Sequence, residues 1–151
     1  MITTELALAP AYWDSLGRGV GAIALYAVVG LVLMLVGFYA IDLATPGPLR
    51  KMVDQGKPNA IIVAAAGIIS VAFIVVLAIY ASSGKLEEGL IASAIFGLVG
   101  IAAQVVMMRV ATIVLGIGIN ELFESDQYMH EALIVAAVQL ALGMVVAAAI
   151  L

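Results

Sequence analysis

Four apolar stretches, residues 20–41, 60–81, 90–119 and 132–151, are each long enough to cross about 30 Å of hydrocarbon, which takes roughly 20 helical residues. Together they use up most of the 151 residues. The chain is 66% hydrophobic and 11% charged, whereas a soluble domain is roughly half apolar and a quarter charged. The expected fold is therefore an all-α membrane protein with four transmembrane helices. It divides into an N-terminal interfacial segment over 1–19 and one transmembrane domain over 20–151. With no cysteine present, disulfides and thiolate metal sites are excluded. The chain has no basic stripe of the kind that neutralises phosphates, which argues against nucleic acid as a partner.

The connections carry their own punctuation. The N-terminal segment lacks a positive region before its apolar residues, so no cleaved signal peptide is expected, and Tyr12 and Trp13 stand where an aromatic anchor would meet the membrane surface. In "DLATPGPLRKMVDQGKPNA", Thr45 and Pro46 can start a turn. Leu49, Met52 and Val53 then recur at helical spacing opposite Arg50, Lys51, Asp54 and Gln55. This pattern predicts a short interfacial helix between the first two spans, stopped at Gly56, with Asn59 placed to cap the second span. "SSGKLEEG" reads as a tight helical hairpin, and "ELFESDQYMHE" as an acidic loop with one histidine.

The two halves, about 20–81 and 90–151, read as a repeat. "NAIIVAA" from Asn59 and "EALIVAA" from Glu131 agree at five of seven positions, and "GFYAIDL" lines up with "GIGINEL", setting Asp42 on Glu121 and Asn59 on Glu131. A unit of two spans re-enters the membrane in the same direction, so the expected arrangement is two parallel-repeated hairpins. It resembles the YjfL-like family of small bacterial inner-membrane proteins, through "GFYAIDLATPGPL", the Asn-Ala start of the second span and the duplicated hairpin. That resemblance covers most of the chain after residue 18. It implies four membrane helices in the bacterial inner membrane, no assigned reaction, and a protein partner in membrane stress. Glu131 departs from it, standing where a strict copy of the first half would carry Asn.

Orientation follows from the basic residues near the spans. Arg50, Lys51 and Lys57 lie on one side and Arg18 and Lys85 on the other, which predicts both termini outside the cytoplasm.

Within the hydrocarbon the costliest residue is Arg109. Measured from Asn120 it lies 11 positions in, about 16 Å, and so is expected near the midplane and turned inward. Thr112, Gly116 and Asn120 follow it on one helical face, and Gln139 on the fourth span reaches a similar depth. This intramembrane polar stripe of Arg109, Thr112, Asn120 and Gln139 admits two readings. Arg109 is either a tether bonded to Gln139 and carbonyls, or a cation lining a path for a solute, an anion or a lipid headgroup. Gln104 is expected to bond across helices.

A second group, Asp42, Asn59, Glu121 and Glu131, gathers at the membrane edge. Its acids are read as solvated or helix-capping, with hard-cation or proton-sharing chemistry as the alternative, and no metal site is assigned. His130 reads as solvated, or as a pH sensor. Gly17, Gly21, Gly97 and Gly100 permit close helix approach, including between subunits, so a homo-oligomer is expected. There is no His or Cys pair at ligand spacing, no Ser beside a base and no phosphate loop, so neither an enzyme nor a cofactor is expected. Two functions follow: a homo-oligomeric channel- or transport-like component, or a membrane-embedded assembly subunit that binds membrane lipid or a peripheral membrane protein.

Overall fold

The computed structural model describes residues 10–44, 48–82, 85–116 and 118–151. Six helices follow in order: α1 (Pro10–Ala44), α2 (Leu49–Asp54), α3 (Pro58–Ala81), α4 (Leu86–Leu115), α5 (Ile119–Glu124) and α6 (Glu131–Ile150). Among the described residues there is no strand. Four of the helices, α1, α3, α4 and α6, are long and apolar enough to cross a membrane. At 24 and 20 residues, α3 and α6 extend about 36 and 30 Å, close to one bilayer core.

Local chemistry accounts for several helix ends. Pro58 opens α3, where its missing N–H falls among the donors that the first turn leaves free in any case. Glu87 and Glu88 stand in the first turn of α4 and Glu131 in that of α6, each facing the positive end of a helix dipole. The short helix α2 stops where the glycine predicts. Gly56 adopts φ +74°, its N–H donates to Val53 O at 3.0 Å, and Lys57 N–H donates to Met52 O at 3.1 Å. These two bonds are the Schellman pattern, which satisfies the last carbonyls of the helix.

Three boundaries differ from expectation. Helix α1 runs unbroken through residues 19 and 20, so the described part of the N-terminal segment is the start of the first helix and not a separate element. The third span ends at Leu115 because Gly116 turns left-handed at φ +63°, and residues 119–124 form a separate helix that sequence reading treats as span and loop. Asn59 does not cap α3. Lys57 holds the cap position without a side-chain bond, because Pro58 at the first helical position moves the boundary forward.

Half of the α3 span is buried inside the chain, against 6% for α1, so α3 is the central helix and α1 the peripheral one. α3 packs most extensively on α6 and also touches α1, α2, α4 and α5. Small residues set these distances. A methyl group placed on Gly143 of α6 would come within 1.7 Å of Ser70 Oγ on α3, and one on Gly37 of α1 within 2.4 Å of Val71. Gly97 and Gly100 of α4 are taken up in the same way, against Leu33 and Ile74, whereas Gly17 and Gly21 face open space.

The order long, short, long occurs twice along the chain, yet the aligned acids are not equivalent. Asp42 lies in the last turn of α1, and Glu121 lies in α5 beyond the Gly116 break.

The two short helices seal one end of the bundle. Leu49 of α2 and Leu122 and Phe123 of α5 are fully buried, in one cluster with Ile41, Ala60, Val63, Ala132 and Val135. That packing puts α2 and α5 at the same end. Cysteines introduced at the exposed positions Arg50 and Asp126 should therefore both react with an impermeant maleimide added from one side of the membrane and be protected from the other. Labelling from opposite sides would rule out the arrangement.

Candidate functional site

Arg109 lies six residues before the end of α4, about 9 Å along the axis, because Gly116 ends the helix earlier than hydropathy indicates. It is thus nearer the helix end than the midplane position expected from Asn120, and it is exposed on the chain surface while also lining a cavity inside the bundle. Among the described residues no hydrogen bond or ion pair joins the Arg109 side chain to another residue. The polar stripe is shorter than predicted. Thr112 follows on the same helix, but its hydroxyl donates to Met108 O at 3.1 Å and Arg109 O at 2.9 Å in its own backbone. Asn120 is exposed on α5, past the break.

Arg109, Thr112 and Gln139 nevertheless meet. All three line one cavity of about 30 Å³, walled elsewhere by apolar side chains such as Ile41, Met108 and Phe123. That volume exceeds the roughly 10–15 Å³ a water molecule needs. On its other side Arg109 borders an open groove between α1 and α4.

Deeper in the bundle is a polar trio. Ser70 stands midway along α3, and its Oγ donates to the backbone carbonyl of Gln139 on α6 at 2.8 Å. Gln104 of α4 donates from Nε2 to Ser70 Oγ. All three side chains are buried, and Oε1 of both Gln104 and Gln139 has no hydrogen-bond donor. Each such acceptor costs about 1–3 kcal/mol when left unpaired.

Gln104 bonds across helices as its place in an apolar span suggests. Ser70 is the residue that sequence reading missed. The available signal is a hydroxyl isolated in the apolar run of "AAAGIISVAFIVV", where it must find a partner on a neighbouring helix.

At the sealed end the four edge residues separate. Asp42 Oδ1 accepts from Arg50 N–H at 3.2 Å, which ties α1 to α2. Asn59 is fully buried. Its Nδ2 donates to Leu122 O and Gln127 O, both at 2.9 Å, and its Oδ1 accepts from Met129 N–H at 2.9 Å. Glu121 and Glu131 are exposed. Among the described residues no three acidic or histidine side chains are grouped to hold a metal ion.

Lys57, which from sequence bears only on orientation, fastens the same loop as Asn59. Its Nζ donates to Glu124 O and pairs with Asp126 at 3.2 Å, although Asp126 is 90% exposed and the pair adds little stability. His130 stacks edge-on against Tyr128, with ring centroids 5.3 Å apart.

Four membrane-length helices, polar groups held among them and two short helices closing one end define an integral, multi-span membrane protein. The chain belongs to the family described as Domain of Unknown Function (DUF350), whose profile matches residues 15–150. It is 37% identical over 134 residues to a UPF0719 transmembrane protein of Mycolicibacterium paratuberculosis, an alignment covering 88% of this chain and 89% of the relative. UPF0719 transmembrane proteins of Mycobacterium bovis and Mycobacterium tuberculosis are 42% identical over 81 residues, 53% of this chain and 53% of each relative. No solved structure matches the chain.

Proposed function

We propose that this protein is a homo-oligomeric channel- or transport-like component of the bacterial inner membrane, with both termini outside the cytoplasm, and that it is not an enzyme. The YjfL-like resemblance, carried by "GFYAIDLATPGPL", is the narrower placement within the family that goes with this reading. The observation that carries the proposal is Arg109. It is a permanent cation in a membrane-length helix, exposed and without a bonded partner among the described residues, and it opens onto a cavity shared with Thr112 and Gln139.

An isolated charge facing hydrocarbon costs about 2.5 kcal/mol or more, and such residues characteristically face a wet path or a partner. The path runs along the outside of one protomer and is enclosed on assembly. Support for assembly comes from α1, whose span is only 6% covered, and from Gly17 and Gly21, one turn apart with open space before them.

Proteoliposome flux and thermal stability, measured together with particle mass in mild detergent, test this reading. Arg109→Gln and Arg109→Leu should melt within a few degrees of wild type yet change flux, because the field of the cation is what they remove. Absence of flux in wild type, with Arg109→Leu unstable and rescued by Gln139→Leu, would reject the path. It would favour the second reading, an assembly subunit. The exposed Arg50 and Lys51 on α2 support that alternative, since they present a basic surface to a peripheral protein or to anionic lipid.

A further inference from the structure

We propose that the groove between α1 and α4 seats one anionic phospholipid, its acyl chain along the groove and its phosphate on Arg109. The inference names what the Arg109 face holds and rests on the reading above only in placing Arg109 at an open face.

The groove encloses about 510 Å³. Helix α1 contributes Val36, Ala40 and Leu43, and α4 contributes an apolar strip from Leu98 to Val106, with Arg109 the only polar lining residue among the described residues. On α4 this wall is about 12 Å long, eight helical rises, and Arg109 stands three residues beyond it toward the helix terminus. The long flexible stem of an arginine lets its guanidinium lean along apolar surface toward the headgroup level. A lipid chain matches the apolar length, and a phosphate matches the planar fork of donors, which accepts two oxygens at once.

A second copy of this chain could bring to Arg109 only the carboxylates near its own helix ends, such as Asp42 or Glu131, and no such carboxylate lies among the apolar residues that wall this groove. Free phosphate offers nothing to the apolar wall.

The test is native mass spectrometry of the full chain, delipidated in mild detergent and then offered phosphatidylglycerol or phosphatidylcholine with identical acyl chains. The expected result is about fivefold greater retention of phosphatidylglycerol, the preference one basic residue near an anionic headgroup supplies. Arg109→Gln should abolish the preference and Arg109→Lys should keep most of it. Ala102→Phe, at an exposed groove position, should lower retention of both lipids.

Equal retention of the two lipids, a preference that survives Arg109→Gln, or displacement of the lipid by inorganic phosphate would overturn the proposal. So would efficient disulfide formation between copies carrying Ala102→Cys in liposomes, which would assign the groove to a second protomer. Flux absent with the lipid preference intact removes only the transport reading, and Arg109-dependent flux with no lipid preference removes only the lipid seat.

Discussion

Replacing Gly143 by alanine should destabilise the protein by about 3 kcal/mol, at the upper end of what overpacking a close-packed interior costs. The added methyl would lie 1.7 Å from Ser70 Oγ, 2.8 Å from Ser70 Cβ and 3.1 Å from Ser70 Cα. Rotating the serine hydroxyl away would relieve only the first of these contacts. The remaining two require α3 and α6 to separate, and this is the most extensive helix pair in the chain. Membrane helices gain little from hydrophobic burial against one another, so contact at small residues carries much of their association. Reversible unfolding in mild detergent measures the loss. Ser70→Gly in the same chain should recover part of it by removing the atom that collides. A Gly143→Ala protein as stable as wild type would disprove the α3–α6 register.

Asn59→Ala should cost on the order of 3 kcal/mol, since it removes three hydrogen bonds and strands three backbone groups around a buried side chain. Asn59→Asp is the sharper variant. It keeps an acceptor for Met129 N–H but turns a second carboxylate oxygen toward Leu122 O and Gln127 O, so it should be at least as damaging as alanine. Hydrogen exchange at the Met129 amide reads the effect locally, and protection there should fall in both variants. Protection unchanged from wild type would mean that Asn59 does not hold the 122–129 segment.

These effects bear on what could be read in advance. Asn59 was legible as a residue with a structural task, because a polar side chain at the start of an apolar span needs partners. Its partners were not legible, since they lie 63 to 70 positions away in sequence. The same is true of Gln139. Its depth in α6 follows from counting residues, and it lines one cavity with Arg109 without a direct bond between them. The bond Gln139 does make, through its backbone carbonyl to Ser70, depends on the closeness that Gly143 allows.

The sequence alone determined that the chain crosses a membrane as four helices, because span length and hydropathy are properties of consecutive residues and need no neighbour to act. It also determined α2 and its stop, since a glycine near a helix end acts on its own backbone. Only the tertiary structure decided where α4 ends. The apolar run continues through Gly116 and Gly118 to Ile119, and hydropathy cannot register a left-handed turn within it. That one turn separates α5, removes Asn120 from the stripe and brings Arg109 to within about 9 Å of a helix end. Which face Arg109 presents was likewise settled by packing, because burial belongs to the set of helices around a residue and not to the residue or its place in the chain.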